Sequence, residues 1–131
     1  MPKSLIYIIE DDPALGTALK KILEVNGYGT VVVFTDGKLC FEQLKTNSPS
    51  LIILDFSLET LNGLDVLKFI KKEYPRNKVV IFSSLANDID LMEKCKEAGA
   101  LAYFNKNEEG RTQLIDWMKN KLKRGFLSFL K

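Results

Sequence analysis

The stretch LIYIIEDDPALG, residues 5–16, joins an apolar run directly to three acidic residues and a helix start. Five consecutive apolar residues are long enough for a strand that is covered on both faces. Asp12 followed by Pro13 is typical of a helix start, because the carboxylate can cap the first turn and Pro fits the first helical position. Glu10 and Asp11 are therefore expected at the carboxyl end of a buried strand, where their charges need a partner.

Length and composition indicate one globular domain. The chain has 131 residues, of which 46% are hydrophobic and 27% charged, as is common in domains with a full core. No apolar run approaches the roughly 20 residues that span a bilayer. The apolar run after residues 1–4 meets acidic residues too soon for a signal-peptide core. We therefore expect a cytoplasmic protein without a transmembrane segment.

The inventory of residue types restricts the chemistry. The chain has no histidine, which excludes imidazole bases and leaves oxygen atoms as the available metal ligands. Cys40 and Cys95 lie in helix patterns, so we expect buried, reduced thiols. Residues 119–131 contain five of the nineteen basic residues and no acid, which leaves fourteen basic against seventeen acidic residues elsewhere. With no binding motif in the acidic body, direct nucleic-acid binding has little support.

Apolar runs and helix patterns alternate along the whole chain. The predicted strands are Leu5–Ile9, Thr30–Phe34, Leu51–Leu54, Val79–Phe82 and Leu101–Phe104. Apolar residues with helical spacing predict helices around residues 15–23, 39–44, 64–70, 89–95 and 114–122. This βαβαβαβαβα order predicts an α/β fold, a doubly wound five-stranded parallel sheet with helices on both faces.

The boundaries of the helices carry further signals. Asp36 could cap the second helix, and Pro75 would end the third. Asn26-Gly27 and Ala98-Gly99 are plausible exits from the first and fourth helices. Gly125 would end the fifth, which divides the chain into a domain over residues 1–124 and a basic, apolar tail or start of a linker over 125–131. The alternative for that tail is a segment that docks on a partner, a neighbouring subunit or a membrane surface.

Charged and polar side chains follow the predicted strands. Glu10 and Asp11 follow the first, Asp55 the third, Ser83 the fourth and Lys106 the fifth. Ligands of doubly wound sheets bind beyond the carboxyl ends of the strands, and in the order 2-1-3-4-5 these four strands are neighbours. We therefore expect three carboxylates, a hydroxyl and an ammonium to converge at one edge.

That set of groups favours a restricted chemistry. Two carboxylates about 5 Å apart repel by roughly 3 kcal/mol at an effective dielectric constant near 20, so the acids need a cation. Hard oxygen ligands select Mg²⁺ or Mn²⁺. The second oxygen of Asp55 could then attack phosphorus to give an acyl phosphate. Lys106 would neutralise the phosphoryl oxygens, and the Ser83 hydroxyl would donate a hydrogen bond to them.

Over residues 3–123 the chain resembles bacterial response-regulator receiver domains. The matching segments are YIIEDD, LIILDFSLETLNGLDVL, VVIFSSLA and EAGALAYFNK, and their order and spacing are specific although no single one is strong. Gly63, eight residues after Asp55, and Tyr103, three before Lys106, also fit. The resemblance implies a flavodoxin-like fold with strand order 2-1-3-4-5 and five helices.

The resemblance also implies roles at the metal and acceptor site. Asp55 would be the phosphoacceptor and Asp11 a direct Mg²⁺ ligand, with Glu10 acting through water. The backbone carbonyl of Ser57 would complete the protein's share of the metal shell. Asp12, by contrast, is expected to be a helix cap.

Signalling roles follow in the same way. Ser83 would move toward the phosphoryl group and Tyr103 would rotate inward behind it, which changes the face formed by helix four, strand five and helix five. Ser57 and Leu85 occupy positions that tune dephosphorylation in this family. Because Leu85 has no group that could place a water, we expect slow hydrolysis.

Three features depart from the family pattern. Asn107 follows Lys106 where receivers usually have Pro, often with a cis bond. A non-proline cis bond costs about 2.5–4 kcal/mol, so we predict a trans bond and an altered loop. Leu58-Glu59 replaces the common Met-Pro after the phosphoacceptor, and Leu101-Ala102 replaces the acidic residues of many DNA-binding receivers.

The resulting functional hypothesis is a phosphorylatable receiver that is not an enzyme beyond its own Mg²⁺-dependent phosphorylation and dephosphorylation. Its partners would be a histidine kinase or phosphotransfer protein and a downstream protein or output domain. Phosphorylation could also lead two copies of the chain to form a dimer. The alternative is an interaction module that acts without phosphorylation. An acidic first loop disfavours a flavin carrier, and Ser57 stands where a haloacid-dehalogenase-type phosphatase would have a second Asp.

Overall fold

The computed structural model describes residues 4–56 and 62–130, and the side chains of the last helix only as far as residue 121. Ten elements alternate along these residues. The strands are β1 Leu5–Ile9, β2 Thr30–Phe34, β3 Leu51–Leu54, β4 Val79–Ser83 and β5 Tyr103–Asn105. The helices are α1 Pro13–Val25, α2 Gly37–Leu44, α3 Gly63–Glu73, α4 Ile89–Glu97 and α5 Glu108–Leu130. The predicted α/β alternation is confirmed.

The five strands form one parallel sheet in the order β2-β1-β3-β4-β5, as predicted. Its register aligns the carboxyl ends of the strands. Ile9, the last residue of β1, pairs with Phe34 and Leu54, and Ser83 at the end of β4 pairs with Asn105. The residues that follow these strands therefore share one edge of the sheet.

Alternate side chains of the strands fill two hydrophobic layers. On one face, Ile6, Ile8, Ile53 and Val80 pack with buried residues of α1 and α5. On the opposite face, strand residues pack with α2, α3 and α4 (Tyr7, Ile9, Ile52, Leu54, Val79 and Ile81). All four residues of β3 are buried, which is why this central strand reads as a continuous apolar run rather than an alternating one.

Helix ends follow the signals in the sequence. The Asp12 carboxylate accepts hydrogen bonds from the amides of Ala14 and Leu15 at the start of α1, and the Asp36 carboxylate caps α2. Beyond α1, Gly27 has φ +81°. This left-handed backbone is one that Gly adopts without steric cost.

The structure corrects several boundaries. β5 begins at Tyr103 rather than Leu101, and β4 includes Ser83. Leu15 is 49% exposed because it lies at the edge of the apolar stripe of α1. The helix α5 does not end at Gly125 but continues to Leu130, since a single Gly costs a helix only about 1 kcal/mol. Lys131 lies outside the described residues.

Two other expectations are met within the described residues. Cys40 and Cys95 are free and buried, and burial raises their pKa values to about 12 and about 11. The Lys106–Asn107 bond is trans, and residues 4–56 and 62–130 contain no cis peptide bond. In the same part of the chain, no helix combines the length and apolar character that a membrane crossing requires.

Candidate functional site

Three carboxylates meet at the carboxyl edge of the sheet. Glu10 follows β1 and Asp55 follows β3, and they are 4% and 3% exposed, while Asp11 is half-buried. One oxygen from each carboxylate lies within 4.8 Å of the other two. The Asp55 amide donates to the carbonyl of Ile9 at 3.0 Å, which fixes the end of β3 against the end of β1. Burial of two acids at such short range requires positive charge nearby.

Lys106 supplies positive charge to this cluster. Its Nζ donates to Asp55 Oδ2 at 2.8 Å and makes an ion pair with Glu10 Oε1. The Lys106 side chain is only 16% exposed, so the ammonium lies between two buried carboxylates. The backbone fixes its origin, because the Lys106 amide donates to the carbonyl of Ser83 at 3.1 Å.

Electrostatics in the cluster follow from burial and pairing. Burial raises the pKa of Glu10 to about 7, and the hydrogen bonds from Lys106 and from the Asp12 amide oppose this increase. For Lys106, burial favours the neutral amine, but the hydrogen bonds to Asp55 and Glu10 prevail and raise the pKa. Lys106 is therefore charged at neutral pH, which balances part of the negative charge.

Ser83 lies beside the cluster but has a different environment. It is fully buried at the end of β4, and its Oγ accepts a hydrogen bond from the Leu85 amide at 3.1 Å. Because a hydroxyl is both donor and acceptor, its proton is available to a further acceptor. The Leu85 side chain is 41% exposed, so this edge of the site carries an apolar group.

Tyr103 lies away from the carboxylates. Its side chain is 37% exposed, and Lys96 Nζ of α4 lies 5.5 Å from the centre of its ring. This distance is that of a cation–π pair. The ring is therefore on the outer surface between β5 and α4, which is the outward arrangement from which the predicted inward rotation would start.

One predicted site residue cannot be located. Ser57, the expected carbonyl ligand and tuning position, lies outside the described residues, as do Leu58 and Glu59. Phe56, before this segment, and Gly63, after it, approach each other closely. A Cβ at Gly63 would lie 2.7 Å from the Cα of Phe56, so only Gly allows the start of α3 to approach the residue after Asp55 this closely.

Asn107 has a role that the sequence did not reveal beyond its departure from the family. Its Oδ1 accepts a hydrogen bond from the Gly110 amide at 2.7 Å, which is the geometry of an N-cap. The signal was present in the sequence, since Asn before Glu108-Glu109 is a typical helix start.

The acidic cluster fits a divalent cation of the magnesium type. Oxygens bound to Mg²⁺ are roughly 3.0 Å apart when adjacent and roughly 4.2 Å apart when opposite, and this ion keeps several waters beside one or two carboxylates. The carboxylate oxygens of Glu10, Asp11 and Asp55, within 4.8 Å of one another, match that demand after small side-chain adjustments. A cavity of about 210 Å³ also reaches Glu10, Asp55 and Lys106 from between α1 and the start of α5.

Comparisons with known proteins agree with this arrangement. The family model of the response regulator receiver domain matches residues 6–118. This chain belongs to that family. Receiver domains are regulatory parts of two-component response regulators and bind Mg²⁺ at an acidic pocket, and this receiver has an acidic cluster formed by Glu10, Asp11 and Asp55.

The curated relatives that the chain matches are longer than the matched region. The chain is 29% identical over 92% of its length to the transcriptional regulatory protein CrdR of Helicobacter pylori. It is 28% identical over 82% of its length to the DNA-binding transcriptional activator EvgA of Escherichia coli. The chain spans 54% and 52% of these two proteins, which is about half the length of the curated relatives it matches.

Solved structures agree on the fold. A CheY-like receiver domain protein from Methanospirillum hungatei superposes with a TM-score of 0.83 at 25% identity, covering 93% of this chain and 95% of the other. The receiver domain of a putative LuxO repressor from Vibrio parahaemolyticus gives a TM-score of 0.84 at 24% identity, covering 98% and 96%.

Proposed function

We propose that this receiver accepts a phosphoryl group on Asp55 in a Mg²⁺-dependent reaction and signals through its α4–β5–α5 face. The observation that carries the proposal is the contact of Lys106 with Asp55 and Glu10, with Asp11 beside them. A buried carboxylate with an ammonium on one oxygen and metal-binding acids alongside is equipped to hold a phosphoryl group.

The proposed transfer uses groups that are already at the site. An oxygen of Asp55 attacks the phosphorus atom of the donor, the P–O or P–N bond to the leaving group breaks, and that group departs with the bonding pair. The Lys106 ammonium then pairs with a phosphoryl oxygen, and the Ser83 hydroxyl donates to another. Mg²⁺, when bound by Asp11, Asp55 and, through water, Glu10, would neutralise the remaining phosphoryl charge.

The ligand shell and lifetime of the phosphorylated form are part of the proposal. The Ser57 carbonyl would complete the protein ligands, and Mn²⁺ could replace Mg²⁺ because it takes the same oxygen donors. Ser57 and Leu85 would tune hydrolysis. The exposed, apolar Leu85 side chain offers no group to place a water on the phosphoryl group, which favours slow loss.

Partners follow from the size and family of the chain. The donor would be a histidine kinase or a phosphotransfer protein. Since CrdR and EvgA are named as transcriptional regulators and are only about half covered by the match to this chain, a downstream protein or an output domain would receive the signal. The proposed change starts when Ser83 moves toward the phosphoryl group and Tyr103 rotates inward.

The first experiment is incubation of the purified protein with acetyl phosphate, with and without Mg²⁺, followed by intact mass measurement. We expect one added phosphoryl group that requires both Mg²⁺ and Asp55. The control is Asp55→Asn, which keeps the size of the side chain and removes the nucleophilic oxygen.

A second experiment needs no phosphoryl donor. Beryllium fluoride mimics the bound phosphoryl group, and the fluorescence of Trp117, whose ring packs 6.2 Å from that of Phe104 next to Tyr103, reports its binding. No adduct with acetyl phosphate and no response to beryllium fluoride would reject the proposal and favour an interaction module that acts without phosphorylation.

A further inference from the structure

The turn that follows Lys106 is held by hydrogen bonds of one residue. The Asn107 amide donates to the carbonyl of Asn105 at 2.9 Å, and its own carbonyl accepts from the Arg111 amide at 2.9 Å. Its side-chain oxygen accepts from the Gly110 amide at 2.7 Å. Asn107 therefore ties the end of β5 to the first turn of α5.

Close packing at Gly110 tightens the same turn. Gly110 is buried, and a Cβ there would lie 1.8 Å from the carbonyl oxygen of Asn105. The first turn of α5 thus rests directly on the end of β5. Lys106 lies in the chain between Asn105 and Gly110, the two residues that meet there. Its own amide is bonded to the carbonyl of Ser83. Little backbone freedom is left at the residue that carries the ammonium.

We propose that Asn107 is a positioning residue: by capping α5 and closing the turn, it holds the Lys106 ammonium against Glu10 and Asp55. This inference rests on the proposed phosphoryl transfer and concerns the same site. A flexible lysine must otherwise lose rotational freedom to make both contacts. A displacement of the order of 1 Å at such a group can cost about a hundredfold in rate.

Two properties of Asn107 are used together, its amide and its side-chain oxygen. A Pro at this position has neither. Asn107→Pro is therefore expected to slow phosphorylation, because it removes both hydrogen bonds.

The test compares Asn107→Ala with Asn107→Ser and with Asp36→Ala. Ala removes the cap, Ser keeps a capping oxygen, and Asp36→Ala removes an equivalent cap from α2, on another part of the fold. The measurements are the rate of phosphorylation by acetyl phosphate, the Mg²⁺ affinity by calorimetry and the melting temperature.

We expect Asn107→Ala to slow phosphorylation about tenfold and Asn107→Ser to stay within about twofold of the wild type. Asp36→Ala should lower the melting temperature to a similar degree without slowing the reaction. Mg²⁺ affinity should rise in Asn107→Ala, because an ammonium held less firmly against Glu10 and Asp55 repels a cation at the same acids less. A wild-type rate in Asn107→Ala, or equal slowing in Asp36→Ala, would overturn the inference.

A readout without phosphorylation separates this inference from the proposed function. Proton exchange at Lys106 Nζ, followed by NMR, should be slower in the wild type than in Asn107→Ala. If the wild type accepts no phosphoryl group, the proposed function fails, and the exchange rates still decide whether Asn107 positions Lys106. Equal exchange in the two proteins would reject the positioning role.

Discussion

The site has a charged half, formed by Glu10, Asp55 and Lys106, and a signalling half, formed by Ser83 and Tyr103. The two halves differ in whether their side chains already contact the reacting groups. Glu10 and Asp55 are buried, and the half-buried Lys106 contacts both. The Ser83 hydroxyl instead accepts from the amide of Leu85, and Tyr103 lies on the outer surface. The groups proposed for chemistry are thus pre-organised, whereas those proposed for signalling are engaged elsewhere.

This difference indicates which residues would affect the reaction rate and which would affect the conformational change. Pre-organised charges need little rearrangement when a phosphoryl group arrives, because Lys106 has only to pass from Asp55 to an oxygen of the phosphoryl group bound there. They therefore favour the reaction itself. Groups that must leave other partners couple the reaction to a change of conformation, because the new contacts have to outweigh the old ones. Substitutions in the two halves should therefore have separable effects, on reaction rate in one and on conformational response in the other.

Loss of the lysine should have the largest effect. We expect Lys106→Met to slow phosphorylation by acetyl phosphate by about a hundred- to a thousandfold, because one preorganised charge is removed from the transition state. It should also lower the free energy of unfolding without Mg²⁺ by about 3 kcal/mol, since two buried carboxylates lose their partner. Intact mass kinetics and urea unfolding measure the two effects.

The control for this variant is Lys94→Met, an exposed lysine on α4. It should match the wild type in rate and stability. Added Mg²⁺ should recover much of the stability of Lys106→Met, because a cation at the acids replaces the lost charge. If Lys106→Met were phosphorylated at the wild-type rate, the claim that the Lys106 charge speeds the reaction would be wrong.

Ser83 tests the border between the two halves. Ser83→Ala should slow phosphorylation by about tenfold, through loss of one donor to the phosphoryl oxygens. It should also cost about 1 kcal/mol of stability, since the Leu85 amide loses its acceptor. Ser83→Thr keeps the hydroxyl and should stay near the wild-type rate. A stability loss with no change in rate would assign Ser83 to structure alone.

Much of the fold could be read from the sequence because the fold depends on periodic patterns. The buried runs of β1, β2 and β3 have the same bounds in the structure, since their flanking caps and turns are local signals. The predicted β5 begins at Leu101, two residues before the strand in the structure. Apolar character alone does not show which residues pair with a neighbouring strand and which only precede the strand.

The site was predictable in part for the same reason. Residues after strand ends must share an edge once the strand order is known, so Glu10, Asp55 and Lys106 could be grouped. The outward position of Tyr103 could not, because it depends on a contact with Lys96 of another element. The cap formed by Asn107 is local and had a signal in the sequence, Asn before Glu108-Glu109, although it was not predicted.

The cation–π pair of Tyr103 offers the smallest and most specific test. Lys96→Ala removes the ammonium that lies 5.5 Å from the ring centre. At an exposed site such a pair is worth about 0.5–1 kcal/mol, so its loss should shift the ring toward an inward position by about two- to fivefold. Fluorine NMR of fluorotyrosine at position 103 would measure that population directly, with and without beryllium fluoride.

The rate of phosphorylation should separate this effect from the chemistry. Because Lys96 is exposed on α4 and the reacting groups already touch one another, Lys96→Ala should change the acetyl phosphate rate by less than about twofold. Tyr103→Phe keeps the ring and serves as the matched control. If Lys96→Ala slowed the reaction as strongly as Ser83→Ala, the two halves of the site would be one coupled unit and the division drawn between them would be wrong.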